Sequence, residues 1–335
     1  MRLKHILTTQ QFSDKKTLEE LFKLANKFEI WDKKRKIPQF LKGMISASVF
    51  YEPSTRTRFS FESAMLKLGG EVLTTENAGH FSSAIKGESL EDSIRIIGGY
   101  CDAIVIRHYE VGAAERAAKV SLVPIINAGD GAGEHPTQAL LDIYTIWKEV
   151  GRIDGLKIAM LGDLLHGRTI HSLIHLLPLF KNIEIFLVSP KELKIPQEYK
   201  SFLRERNSRN AAAFLEFPSL APNKSKLSPA GSLGNIKFTE TEDINRVLPQ
   251  IDVLYTTRIQ KERFKSLKTY ERVKNSFVID EKSLKLLPKK SIIMHPLPRV
   301  SEINPIVDND QRAAYFRQAK NGLYIRMALL KMLLA

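Results

Sequence analysis

At 335 residues, with 43 % hydrophobic and 26 % charged residues, the chain has an ordinary globular composition and exceeds the ~100–200 residues of one typical domain, so two domains are the first expectation. Its formal net charge of +14 invites a nucleic-acid partner, but aromatic residues, at 8 %, do not interleave with the basic ones, and the densest run, Lys33 to Lys36, reads as the solvated end of a surface helix. A single cysteine, Cys101, excludes a disulfide within the chain and fits a reducing, cytoplasmic setting, while no apolar run approaches the ~18 residues of a membrane span, so neither nucleic acid nor membrane is expected as a partner.

In chain order, short β-branched apolar runs alternate with segments of helical period. "MISASVFYE" precedes a helix pattern from Arg56 to Leu68, "DAIVIRH" precedes "GAAERAAK", and "VPIINAG" precedes "HPTQALLDIYTIWKEV". Gly151 and Gly155 then interrupt the pattern, and the rhythm resumes with "LKIAMLGD" before "GRTIHSLIHLLPLF", followed by "IEIFLVSP", "IDVLYTTR" and "SIIMHPLPR". A last helical segment runs from about Gln311 to Leu334. Continuous apolar strands separated by helices predict parallel sheets covered on both faces. The fold class is therefore α/β: two doubly wound domains, each a mainly parallel sheet flanked by helices, with the active site in the cleft between them. The domains are expected at 1–148 and 152–305, the second with an insertion at about 190–235 that carries Pro196, Pro218, Pro222 and Pro229, and residues 306–335 are expected to pack back on the first domain.

Ligands of open parallel sheets bind at the carboxyl ends of the strands. Those exits carry Ser54, Thr55, Arg56, Thr57 and Arg58; Arg107 and His108; His135 and Gln138; Arg168; Arg258 and Gln260; and His295 to Arg299. Any one arginine reads most simply as half of a surface salt bridge. Arginine at five exits instead points to small, multiply anionic ligands, because the planar guanidinium fork matches phosphate and carboxylate. After Pro53, Ser54 or Thr55 can cap a helix whose N-terminus favours a phosphate, and Arg56 adds a side-chain fork. No GxxxxGKS or GxxxxGKT, GxGxxG, GxSxG or HExxH pattern occurs, Cys101 reads as a buried thiol, and His171 with His175, four apart in a helix pattern, read as packing or surface residues ahead of a metal site. No metal and no cofactor are expected. What remains is direct transfer between two bound ligands, driven by proximity and by donors aimed at developing charge.

The ordered stretches "FYEPSTRTRFSFE", "SSAIKGES", "IRHYEVGAAERAA", "NAGDGAGEHPTQALLDIYTI", "GDLLHGRTIHSL", "DVLYTTRIQKERF", "HPLPRVSEI" and "AYFRQAKNGLYIRMALL" resemble the aspartate carbamoyltransferase catalytic chains over nearly the whole length outside the insertion. "STRTR" and "HPTQ" are shared with ornithine carbamoyltransferases, whereas "TTRIQKER" and "HPLP" replace the SMG loop and HCLP of those enzymes. Arg258 with Gln260 then offers a carboxylate clamp, which favours aspartate.

The resemblance implies that Ser54, Thr55, Arg56 and Thr57 hold the phosphate of carbamoyl phosphate. It implies that Arg107, His135 and Thr57 donate to the carbonyl oxygen, and that Gln138 and the Pro296 and Leu297 carbonyls hold the amino group, with Pro298 beside them. Arg168, Arg258, Gln260 and Leu297 are implied for L-aspartate. Ser82 and Lys86 match a loop that reaches a neighbouring subunit's site, which implies a homotrimer with shared active sites. Separate regulatory chains are a further possible partner. Arg56, Thr57, Lys86, Arg107 and His135 are the implied catalytic set. The neutral amine of aspartate attacks the carbonyl, and phosphate leaves with its proton. A non-catalytic relative is expected to lack some of these side chains, and none is absent. His108 is followed by "YE" where many relatives have a proline, and Arg58 reads as half of an internal ion pair with no assignable partner.

Overall fold

The computed structural model describes residues 3–78, 87–207, 235–264 and 266–335. It divides into two compact units, Met1–Leu141 with Ala319–Ala335, and Asp142–Gln318.

The first unit is built on a four-stranded sheet of β1 (Ile45–Phe50), β2 (Glu71–Glu76), β3 (Ala103–His108) and β4 (Ile125–Asp130), in the order β2-β1-β3-β4. All its pairings are parallel. Ala47, Val49, Ile104, Ile106 and Ile125 from the strands pack with Ile94, Ala114 and Ala117 from the helices Leu90–Gly98 and Ala113–Val120. Ile6 adds a short parallel bridge to Ile126, beyond β4. The C-terminal helix Tyr315–Leu334 contributes its later residues to this unit. Asp32 accepts bonds from Lys67 at 2.6 Å and Tyr324 at 3.0 Å, and Arg326 donates to the Ser60 hydroxyl at 2.6 Å with its guanidinium 4.8 Å from the Phe61 ring.

The second unit has a five-stranded sheet of β5 (Lys157–Leu161), β6 (Ile183–Val188), β7 (Ile236–Thr241), β8 (Val253–Thr256) and β9 (Ile292–Met294), ordered β7-β6-β5-β8-β9 and parallel throughout. Ala159, Leu161, Val188, Leu254 and Ile293 meet Leu248, Ile279, Val307 and Tyr315 in its core.

Both units are thus doubly wound α/β, as the alternating runs predict. Each run singled out in the sequence holds a strand, but β2 and β7 were not anticipated. Both are edge strands: β2 has no buried residue and β7 a single one. A strand that is not covered on both faces does not need a continuous apolar run, so it leaves a weak mark in the sequence. Of the expected insertion, residues 208–234 lie outside the described residues.

In each sheet the chain first moves to one side and then to the other. The reversals fall between β1 and β3 and between β5 and β8. Crevices at carboxyl ends form at such reversals. A glycine lies against the end of a strand beside each, Gly131 after β4 and facing the end of β3, and Gly162 after β5 and facing the end of β8. Gly131 has φ +53 and a Cβ there would sit 2.3 Å from the Tyr109 carbonyl oxygen; Gly162 has φ +112 and a Cβ would sit 2.3 Å from that of Thr257. Only glycine permits these approaches.

Candidate active site

In the first unit, β1 runs through Glu52 and Pro53 into the helix Thr55–Lys67. Ser54 occupies the cap position and its carbonyl accepts the Arg58 N–H at 3.0 Å, yet its side chain does not cap the helix. The hydroxyl donates instead to Thr57 Oγ1 at 3.1 Å. The first-turn N–H groups therefore keep their outward direction, toward a region that the helix dipole makes favourable for an anion. Thr55 and Arg56 are exposed, and Thr57 is buried.

Strand register brings the next exit alongside. Arg107 is the β3 partner of Phe50, and its carbonyl accepts from Tyr51 at 2.8 Å. Its side chain, 8 % exposed, donates to the Ala128 carbonyl at 3.1 Å and to Glu52 Oε1 at 3.0 Å. Burial pulls the guanidinium below the usual arginine pKa, and Glu52 opposes that shift. Arg107 Nε is buried with no hydrogen-bond partner among the described residues. One partly exposed carboxylate only partly balances the desolvation of this guanidinium, so a further anion at this exit would be stabilised by it.

His135 stands at the start of the helix Pro136–Val150, its carbonyl accepting from Gln138 at 2.9 Å and Ala139 at 3.2 Å. Both His135 and Gln138 are buried. Asp130, which ends β4, organises the loop before them: it accepts from Gly112 N at 2.9 Å and from Glu134 N at 2.8 Å. Glu134 in turn accepts from Thr9 N at 2.6 Å, and burial pushes its carboxyl above the ordinary value. Neither acid was singled out in the sequence, because a carboxylate among cations carries no visible sign of which backbone groups it holds.

The first unit thus gathers Ser54, Thr55, Arg56, Thr57, Arg107, His135 and Gln138 at the exits of three neighbouring strands. Arg58 is engaged elsewhere. It pairs with Glu76 at 3.1 Å and Glu62 at 3.9 Å, which supplies the partner that the sequence left open. Ser82 and Lys86 lie outside the described residues.

The second unit brings β5 and β8 together in the same way, with Leu161 opposite Thr256. Arg168 opens the helix Arg168–Leu176, and Arg258 and Gln260 follow β8. Asp163, fully buried, staples the two exits. One of its oxygens accepts from His166 N at 2.9 Å, and the other lies 3.5 Å from Gln260 N. The Gln260 side chain donates to the His166 carbonyl at 3.2 Å. Pro296, Leu297 and Pro298 follow β9, with Leu297 at φ +55 and a cis peptide before Pro298. His171 bonds the Leu164 carbonyl at 2.8 Å and stacks 4.2 Å from Tyr199, while His175 lies 4.9 Å from Phe202. That histidine pair packs one helix on another, the first of the two readings, packing or surface, that its helical setting left open.

Chemically, the first unit combines hydroxyls, two guanidiniums, an imidazole and a helix N-terminus, a set suited to a small dianion. The second combines two arginines and an amide, suited to carboxylates, with backbone carbonyls able to accept from an amino group.

The family model described as "Aspartate/ornithine carbamoyltransferase, carbamoyl-P binding domain" matches residues 4–148, and the corresponding "Asp/Orn binding domain" matches residues 154–333. The chain is 49 % identical over 333 residues to the chloroplastic aspartate carbamoyltransferase of Arabidopsis thaliana, covering 99 % of this chain and 78 % of that one. It is 47 % identical over 332 residues to the aspartate carbamoyltransferase catalytic subunit of Methanocaldococcus jannaschii, covering 99 % and 98 %. The solved catalytic subunit of M. jannaschii aspartate transcarbamoylase superposes with TM-score 0.85 over 99 % of this chain and 98 % of that chain. The Trypanosoma cruzi aspartate transcarbamoylase in complex with carbamoyl phosphate and aspartate, 38 % identical, superposes with TM-score 0.87 over 100 % and 98 %.

Proposed function

The chain belongs to the aspartate/ornithine carbamoyltransferase family, and from that premise we propose how its residues transfer the carbamoyl group of carbamoyl phosphate to the α-amino group of L-aspartate. The products are N-carbamoyl-L-aspartate and phosphate, an early step of pyrimidine biosynthesis.

Ser54, Thr55, Arg56 and Thr57 grip the phosphate at the start of the helix Thr55–Lys67. Arg107, His135 and Thr57 donate to the carbonyl oxygen. Gln138 and the carbonyls of Pro296 and Leu297 hold the amino group, with Pro298 closing the turn. Arg168, Arg258 and Gln260 bind the two carboxylates of aspartate, and Leu297 lies against it. The observation that carries this assignment is Arg107, an arginine with its side chain only 8 % exposed directly beside the end of β1. Family limits of 4–148 and 154–333 support a carbamoyl phosphate domain at 1–148 and an aspartate domain at 152–305.

The neutral amine attacks the carbonyl carbon and a tetrahedral intermediate forms. Its oxyanion takes hydrogen bonds from Arg107, His135 and Thr57, worth several kcal/mol in a desolvated setting. The carbon–oxygen bond to phosphate breaks, and the departing phosphate accepts the amine's proton. No side chain has to act as general base, and His135 serves as a donor.

Ser82 and Lys86 complete the set from a neighbouring subunit, which makes the working unit a homotrimer. We place the enzyme in a reducing compartment, the cytoplasm, on the strength of its single cysteine, although the plant relatives are named chloroplastic. Separate regulatory chains remain open to a binding assay. The direct test is phosphate release from carbamoyl phosphate with L-aspartate or L-ornithine as acceptor. Release with aspartate alone is expected, and turnover with ornithine overturns the assignment of Arg258 and Gln260.

A further inference from the structure

Leu297 is a strained point. A leucine at φ +55 occupies the left-handed region, which is unfavourable for a non-glycine residue unless its surroundings hold it there. The holder is visible. Leu297 N–H donates to His295 Nδ1 at 2.8 Å. With Nδ1 accepting, the ring proton of a neutral imidazole sits on Nε2, and Nε2 lies 2.8 Å from Glu302 Oε1. The Glu302 carboxylate closes the other end of the turn by accepting from Val300 N at 3.1 Å and Ser301 N at 3.1 Å. His295 is anchored from behind as well, since its N–H donates to Gln318 at 2.9 Å, and Gln318 donates to the fully buried Asp142 at 2.6 Å. His295 and Glu302 are 1 % and 6 % exposed.

We propose that His295 and Glu302 are positioning residues that set the amino-group recognition of this site: the pair clamps the Pro296–Arg299 turn from both ends and keeps Leu297 in the left-handed conformation that aims its carbonyl. This rests on the assignment above of the Pro296 and Leu297 carbonyls to the amino group of carbamoyl phosphate. The clamp therefore governs discrimination of carbamoyl phosphate from analogues without that amino group. It has little bearing on the grip on phosphate, which belongs to the helix Thr55–Lys67.

Acetyl phosphate, with a methyl group in place of the amino group, separates the possibilities. The purified full chain is compared with Glu302→Gln, reading KM for carbamoyl phosphate, kcat, and the inhibition constants of acetyl phosphate and inorganic phosphate, with folding checked by circular dichroism. The expected result is a rise in KM of about tenfold, with kcat within about twofold and both inhibition constants unchanged. Parallel weakening of all three ligands, or no change in any, overturns the clamp. A wild-type enzyme that binds acetyl phosphate as tightly as carbamoyl phosphate instead removes the amino-group assignment beneath it. If Glu302→Gln does not fold, His295→Gln reads the same constants with the same expected split.

Discussion

Arg56 and Arg58 stand two positions apart in one motif and are placed differently. Arg56 is exposed at the first turn of its helix, while Arg58 is tucked against Glu76 and Glu62 with its side chain 16 % exposed. Arg56→Gln should lower kcat/KM by about 100-fold and leave the melting temperature in place, since it removes a charged donor from the proposed phosphate site. Arg58→Gln should show the opposite pattern. Loss of its two partly buried ion pairs costs about 1–3 kcal/mol of stability, read as a lower urea midpoint, with kcat/KM within a few-fold. If the two variants behave alike, the division of labour is wrong. The motif itself predicts a phosphate cradle, but the pairing of Arg58 was not legible, because "STRTR" does not say which arginine meets the end of β2.

Among the elements, the seven covered strands were readable as continuous apolar runs, whereas β2 and β7 were hidden by their polar, exposed edges. The pairing of the helices Arg168–Leu176 and Gln197–Asn207 shows a second thing a pattern cannot carry, the protonation state of a packed histidine. Burial lowers His171 from 6.5 to about 4, outweighing the bond to the Leu164 carbonyl that raises it. A folded pKa below the unfolded one means that the unfolded chain binds the proton first. The stability held above pH 6.5 is then lost as pH falls toward about 4, by about 3 kcal/mol for this one group. His171→Asn should flatten that acid limb of the urea midpoint between pH 7 and 4. An unchanged limb means that His171 is not what titrates there.

For the whole molecule, the proposed sharing of Ser82 and Lys86 between subunits has a direct consequence. Reassembling Arg107→Ala chains with Lys86→Ala chains should restore part of the activity that neither has alone, through sites in which both residues are intact, and no recovery argues that each site is self-contained. The amino-acid sequence by itself determined the α/β class, the family and the kinds of side chain at the strand exits, because apolar runs, helix starts and motif order are local properties of the chain. Only the tertiary structure decided what each buried charge meets. Arg58 with Glu76, Asp163 with Gln260, and Leu297 held through His295 by Glu302 are joined by folding, and the worth of a charge depends on the partners and solvent that folding leaves it.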